Sequence, residues 1–343
     1  MPKNEKNKTL TIHDVAKYAG VSYTTVSRVL NNKNEITEET RQRVRKAIDE
    51  LGYTPNPIAR SLVTNQTKVI GFVVSDITNP FLADVARGIQ RYAHPFGYAV
   101  SIFMTDSDSV LESEALNSLV TRRADGIIVT PPENDLSNHL ILELAKKGTS
   151  FVLIGRHVPH ENITVVSTST STGAYKATNY LISLGHRRIA HIQASPRMGY
   201  GRGKLRGYQK ALEDAGFAFD PKLVVSSDYT IDGGQKACEL LLHLDNPPTA
   251  IFSTNDLVAF GAMSAIEAAN LKVPNDISVI GFDDIVFARN SRPPLTTVSQ
   301  PALKLGETAA NMLLKSIQSE PHEAEIILDC ELVVRESTAP LRR

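Results

Sequence analysis

Cysteine is nearly missing from this 343-residue chain: only Cys238 and Cys330 occur, far apart and without the spacing of a metal site. Two such thiols cannot frame a disulfide scaffold, and the simplest reading is a pair of reduced, buried side chains. Long apolar runs are missing too. Nothing approaches a membrane span, and the opening MPKNEKNKTL is charged with no apolar core behind it, which argues against a secretory leader. The chain is expected in the cytoplasm, without a membrane partner. Its nine histidines form no HxxxH or similar ligand pattern, and triad, paired-acid and P-loop signatures are lacking. No metal, no cofactor and no catalytic residues are expected. The stretch GYGRGKLRG places Gly199, Gly201, Gly203 and Gly207 near a strand. Its spacing is not GxGxxG and no acidic residue stands at the ribose position, so a dinucleotide enzyme is disfavoured.

Net charge is absent as well, with 37 basic residues against 37 acidic. The balance hides an asymmetry: up to Leu62 there are 11 Lys and Arg against 7 Asp and Glu, so this segment carries +4 and the remainder −4. A small basic head on an acidic body points to a polyanion-binding module attached to something else. The length allows two or three domains.

Within the head, Thr11 is a helix N-cap with Asp14 three residues on, and the helix ends near Gly20. Ser22 caps a second helix from Tyr23, in which Val26, Val29 and Leu30 point inward and Tyr23, Thr24, Ser27 and Arg28 stay outside. A third helix starts at Thr37, buries Val44, Ile48 and Leu51, and stops at Gly52. Two short helices around a Gly-containing turn, closed by a third, are a helix-turn-helix plan; a plain protein-interaction bundle is the alternative. In such a plan the second helix enters the major groove, with Tyr23, Thr24 and Arg28 at base edges and Ser22 and Ser27 capping or touching phosphate.

Beyond Gly52, Asn56-Pro57 opens a segment of under two helical turns ending at Leu62, too short to be stable alone. A disordered tether is the competing reading. From Lys68 onward, strands at VIGFVV, YAVSIFM, GIIVT, FVLIG, RIAHI, AIFS, ISVIGF and LTTVS alternate with helices such as Leu82 to His94, Gly173 to Leu184 and Leu257 to Asn270. This predicts parallel sheets covered on both faces, divided into two lobes. Ligands in such sheets sit at strand carboxyl ends. Those ends supply Asn79, Phe81 and Leu82, then Asn255 and Asp256, then Asp283, then Gln300. Carboxylate, carboxamides and an aromatic plate suit a sugar, whose hydroxyls donate and accept while its C–H face stacks. Asn79 and Asp256 also read as helix caps, His186 as a helix end, and Arg122, Arg123, Arg187 and Arg188 as solvated or turn residues.

The segments TIHDVAKYAGVSYTTVSRVLN and ITEETRQRVRKAIDELGYTPNPIARSL resemble the DNA-binding head of the lactose and galactose repressor family. The match resumes at SDITNPF, LGHRRIAHI, STNDLVAFGAM, ISVIGFDD, PPLTTVSQP and VVRESTAP, so it spans essentially the whole chain. The resemblance implies an all-α head at 1–55, a hinge helix and linker at 56–67, and a periplasmic-binding-protein-like α/β body at 68–343. Its lobe 1 would take about 68–168 and 301–328, and lobe 2 about 169–300 and 329–343. It further implies a homodimeric regulator, most simply a repressor of carbohydrate genes, that binds a palindromic duplex operator and answers to a small effector such as a sugar or sugar phosphate. A co-repressor-dependent regulator of another pathway, such as nucleotide metabolism, is the alternative, and a transport binding protein would lack the basic head. The DNA-facing set under the resemblance is Thr11, Ser22, Tyr23, Thr24, Ser27, Arg28 and Asn31 in the head, with Asn56, Ile58, Ala59 and the wedging Leu62 in the hinge. The effector set is Asn79, Phe81, Leu82, Lys204, Tyr229, Asn255, Asp283 and Gln300. Three positions depart from the family: Lys204 replaces an arginine, Ser169-Thr170 an Asp-Asn pair, and Leu82 an aromatic.

Overall fold

The structure is a computed structural model of the whole chain, and it describes residues 10–30, 35–54, 66–130, 135–194 and 202–342. Contacts divide it into two units, Met1–Thr67 and Lys68–Arg343.

The first unit contains α1 (Ile12–Ala19), α2 (Tyr23–Leu30) and α3 (Glu38–Leu51). Asp14 closes the start of α1 by accepting from the Thr11 backbone N–H at 2.9 Å and its hydroxyl at 2.7 Å. Ser22 Oγ accepts from Thr25 N at 3.1 Å and Thr37 Oγ1 from Thr40 N at 3.4 Å, satisfying amides that a helix start leaves open. Gly20 and Gly52 end α1 and α3 in the left-handed region, where a side chain would be strained. One fully buried valine from each helix, Val15, Val26 and Val44, forms the centre, each contributing about 1.5–3 kcal/mol by leaving water. On α3 the fully buried partner of Val44 is Ala47, while Ile48 and Leu51 are only partly covered. A small residue there lets α3 approach the other two helices closely.

The second unit opens with β1 (Val69–Val74), α4 (Pro80–Ala93), β2 (Ala99–Met104), α5 (Ser109–Thr121), β3 (Gly126–Val129), α6 (Asp135–Lys146), β4 (Ser150–Ile154) and β5 (Ile163–Thr168). It continues through α7 (Thr170–Ser183), β6 (Ile189–Ala194), α8 (Arg202–Asp214), β7 (Val224–Ser227), α9 (Ile231–Leu242), β8 (Ala250–Ser253), α10 (Asp256–Ala268), β9 (Ser278–Asp283) and β10 (Thr296–Ser299). It closes with α11 (Ala302–Ile317), β11 (Glu325–Leu328) and β12 (Glu331–Val333). Two sheets result, ordered β11-β5-β4-β3-β1-β2 and β12-β10-β9-β8-β6-β7. All pairings are parallel except β10 with β12.

Parallel strands must be covered on both faces, and the alternation along β1 does this. Ile70, Phe72 and Val74 join the cluster under α4 and α11, whereas Val73 joins the one under α5 and α6. The second sheet is sandwiched likewise between α7 and α8 on one face and α9 and α10 on the other. The chain passes from the first lobe to the second at 168–170, returns at 299–302 and passes again at 328–331. No described helix is long and apolar enough to cross a membrane.

Four strands, β5, β7, β11 and β12, were not among those expected. β7, β11 and β12 run only three or four residues at or next to sheet edges and are half exposed, so their apolar pattern is faint. Helix α4 begins at Pro80, two residues before the expected Leu82, because Asn79 Oδ1 accepts from Phe81 N at 3.0 Å. His186 does not end a helix: α7 stops at Ser183. Its buried ring bridges Thr249, Ser278 and the Ala339 carbonyl at 3.0–3.1 Å and pins the C-terminal segment.

Candidate functional site

Strand carboxyl ends of both lobes converge on a cavity of about 610 Å³. The first lobe contributes Ser75, Asp76, Thr78, Asn79, Phe81 and Leu82 from the β1–α4 turn and Asp106 and Ser107 from the loop after β2. From the second come Lys204 on α8, Asp228 to Asp232 after β7, Asn255 and Leu257 at the start of α10, and Asp283 at the end of β9. Four lining residues that are not glycine hold positive φ: Asp106 at 46°, Ser107 at 60°, Tyr229 at 68° and Asp283 at 107°. Backbone held in such regions persists where surrounding structure over-determines it, as at ligand sites.

Several polar lining residues are held by bonds to the surrounding fold. Asn255 caps α10 by accepting from Val258 N at 2.8 Å, and its amide donates to the Tyr229 carbonyl at 3.2 Å. That pair ties the loop carrying Tyr229 to the helix start. Asp228 accepts from the Thr230 hydroxyl at 2.6 Å, which holds its carboxyl below the usual range. Lys204 is 2% exposed, donates from Nζ to the Thr254 carbonyl at 2.6 Å and lies 4.0 Å from the centre of the Phe282 ring. Burial lowers the pKa of its ammonium, and Asp283 opposes the shift. Asp283 itself is pushed up to about 6, chiefly by burial and against the pull of Lys204 and Gln300. Burial is the larger effect on both partners, as expected where a charged pair is taken out of water.

Seven of the eight expected effector residues, Asn79, Phe81, Leu82, Lys204, Tyr229, Asn255 and Asp283, stand around this one cavity. Gln300 does not line it. Nearly buried, it sits behind Asp283 and donates to Oδ1 at 2.6 Å, because β10 lies beside β9 and brings its last turn against the back of the carboxylate. Asp256 is not a cap either: Asn255 holds that place, and fully buried Asp256 accepts from Ile285 N at 2.8 Å and the Thr297 hydroxyl at 2.5 Å. Burial first, then the Asp283 charge, raises its carboxyl well above the usual range. Arg202 and Arg206 line a second cavity of about 540 Å³ with Gly155, Ser167, Thr168 and Thr170, which shares no lining residue with the first. Ser169 serves the lobe crossing, accepting from Cys330 N at 3.1 Å. Sequence reasoning missed Asp76, Asp106, Ser107, Asp228 and Asp232. Their signal was position: the pairs Ser75-Asp76 and Thr105-Asp106 each directly follow a strand. Among the described residues no group of side chains could hold a metal ion.

In the head, Tyr23, Thr24 and Arg28 are exposed on one side of α2 and Ser27 is half covered. The Tyr23 ring leans on His13 at 5.4 Å, and Arg28 makes a surface ion pair with Glu35 at 3.4 Å. Such a pair contributes little in water and leaves the guanidinium available. Thr11 and Ser22 are exposed at helix starts, their hydroxyls bonded to Asp14 and Thr25. Asn31, Asn56, Ile58, Ala59 and Leu62 lie outside the described residues.

A helix-turn-helix unit carried by a two-lobed α/β body with a polar inter-lobe cavity defines the class: a ligand-responsive DNA-binding regulator. Residues 11–56 match bacterial regulatory proteins of the lacI family, and residues 67–336 match the periplasmic binding proteins and sugar binding domain of the LacI family. The chain belongs to the LacI family of transcriptional regulators and is not an enzyme. It is 37% identical over 333 residues to the transcriptional regulator DegA of Bacillus subtilis (strain 168), covering 96% of this chain and 98% of that one. The Lac repressor dimer bound to operator and the anti-inducer ONPF superposes with a TM-score of 0.86 at 30% identity, over 97% of this chain and 100% of the other. A complex of the transcriptional regulator CelR with cellobiose gives 0.73 at 33% identity, over 96% and 99%.

Proposed function

We propose that this chain is a cytoplasmic repressor of carbohydrate-utilisation genes, binding a palindromic operator as a homodimer under the control of a sugar in the inter-lobe cavity. The observation that carries the sugar assignment is the set of side chains around the cavity, acceptors combined with rings. Asp76, Asp106, Asp228, Asp232 and Asp283 are acceptors while ionised, Asn79 and Asn255 are carboxamides, and Phe81 and Tyr229 supply rings. Among the described residues only Lys204 brings a cation to the lining, and its ammonium is already held by Thr254 and Phe282. A donor-rich neutral sugar suits this lining better than a sugar phosphate, whose charge the carboxylates repel. The cellobiose complex of CelR supports the same class of ligand, and the operator-bound Lac repressor dimer supports the DNA-bound dimer.

In this reading residues 1–55 are the DNA-binding head, 56–67 the hinge and 68–343 the effector and dimerisation body. Tyr23, Thr24 and Arg28 read bases, Thr11, Ser22, Ser27 and Asn31 position the head, and Asn56, Ile58, Ala59 and Leu62 enter the minor groove. The test is a thermal-shift screen of sugars against their phosphates, followed by gel shifts on a duplex that the protein selects from random DNA. A neutral sugar should raise the melting temperature and change operator affinity, and Arg28→Ala should weaken specific binding by about 1–3 kcal/mol. A response confined to phosphorylated ligands refutes the neutral-sugar assignment, and unchanged affinity of the Arg28 variant refutes its base contact.

A further inference from the structure

Behind the cavity the three lobe crossings are stitched together. Thr168, the last residue of β5, donates its hydroxyl to Gln300 Oε1, and Gln300 donates Nε2 to Asp283 Oδ1 at 2.6 Å. Beside this chain of bonds, Ser169 N donates to the Leu328 carbonyl at 2.8 Å and Cys330 N to Ser169 Oγ at 3.1 Å. Thr168, Gln300 and Asp283 are 9%, 4% and 7% exposed, so a bond broken among them costs more than one at the surface. The amide's orientation follows from chemistry: an ionised carboxylate only accepts, so Gln300 must turn its nitrogen to Asp283 and its oxygen to Thr168. A planar amide is thereby gripped at one end by the ligand-facing carboxylate of the second lobe and at the other by the strand end where the chain leaves the first. Its own backbone occupies the return crossing. A ligand donor that draws Asp283 into the cavity therefore pulls on Gln300 Nε2, and the rigid amide passes the displacement to Thr168.

We propose that Gln300 is a positioning residue that couples occupancy of the cavity at Asp283 to the lobe crossings, and through them to affinity for DNA. The inference rests on the reading of the cavity as the effector site and adds how its occupancy leaves it. Neither Thr168 nor Gln300 lines the cavity, so neither need touch the ligand. Coupling of this kind needs a physically continuous element that both sites bias, and the Asp283–Gln300–Thr168 chain is one.

The test uses the full chain and the duplex it selects from random DNA. Operator Kd and melting temperature are measured for Thr168→Val, Gln300→Leu and Asp283→Ala, and for their pairs. Each single substitution should shift operator Kd at least threefold in one direction. Each pair should shift it no further than the singles, because one path is already cut. Thr168→Ser keeps the hydroxyl and should restore the wild-type value. A merely structural role would lower the melting temperature additively and leave operator Kd in place. A folded Gln300→Leu chain with wild-type operator Kd overturns the proposal, as do effects of Thr168→Val and Asp283→Ala that multiply in the Gln300→Leu background. If Gln300→Leu does not fold, Gln300→Met, which keeps the volume and loses the amide, is read in the same way. Failure of the wild-type chain to select any duplex would strike the regulator reading instead, so the two failures are distinct.

Discussion

Replacing the cavity carboxylate by its amide, Asp283→Asn, should make the body more stable at neutral pH. Burial moves the Asp283 carboxyl from 3.8 up to about 6 despite Lys204 and Gln300. Such a displacement corresponds to about 3 kcal/mol by which ionisation is less favourable in the folded chain than in the unfolded one. The sign follows from proton binding. Between about pH 4 and about pH 6 the folded chain holds a proton that the unfolded chain has released, so this group's contribution to stability is present in acid and lost as pH rises through about 6. Asparagine keeps the shape, and its side-chain oxygen can still accept from Gln300 Nε2, now 2.6 Å from Oδ1. The variant should therefore gain about 1–3 kcal/mol at pH 7.5 and nothing near pH 4. Urea unfolding followed by circular dichroism at several pH values between these limits measures the difference. A variant less stable than wild type at pH 7.5, or a gain of the same size at every pH, would refute the reasoning. The gain in stability should come with weaker sugar binding, the usual exchange where a site keeps a group the fold does not favour.

Two further substitutions test the interior. Asp256→Ala orphans the Ile285 N–H and the Thr297 hydroxyl, both bonded to a fully buried carboxyl; it should cost about 2–5 kcal/mol, and a loss under 1 kcal/mol in urea unfolding would show that these donors find other partners. Glu112→Ala strands the fully buried Arg156 guanidinium, whose Nη1 lies 2.7 Å from Glu112 Oε1 and whose other nitrogens bond Asn138 and Ser137. Thermal unfolding should register about 3–5 kcal/mol for that single change and much less for Glu112→Leu combined with Arg156→Met, since a well-packed apolar pair avoids burying charge; equal losses would argue that packing alone sets the cost.

What could be seen in the residues alone was whatever is local. Caps such as Thr37 and terminators such as Gly52 act within a few residues, so the head helices were legible almost to their ends. Buried parallel strands were legible for the same reason, as apolar runs like that of β1. Strands β11 and β12 owe their existence to a neighbour contributed from far along the chain, Ile163–Thr168 for one and Thr296–Ser299 for the other, and their own residues carry little pattern. At the cavity, residue type and strand-end position were enough to single out Asp283 and Asn255. They could not tell a lining residue from one standing behind it. Gln300 and Asp256 have the same chemistry as lining residues, and only tertiary placement turns them inward: β10 beside β9 for Gln300, and the Ile285 N–H and Thr297 hydroxyl for Asp256. Lys204 reads as an ordinary charged helix residue, and its burial beneath Thr254 and Phe282 depends on how α8 docks.

The triple crossing also dictates the order in which the molecule can be finished as it is made. Helix α11 packs against α4 and under β3, β4 and β5, and β11 supplies the outer neighbour of β5. The first lobe to begin is therefore left without its last helix and edge strand until residue 328 has been synthesised, after nearly all of the second. At ordinary elongation rates that is a wait on the order of ten seconds. During it the faces of β3, β4 and β5 that α11 will cover lack that helix, while the head, whose core is local, is free to fold at once. Truncation anywhere before α11 should thus yield a chain with a sound DNA-binding unit and an unfinished, aggregation-prone body.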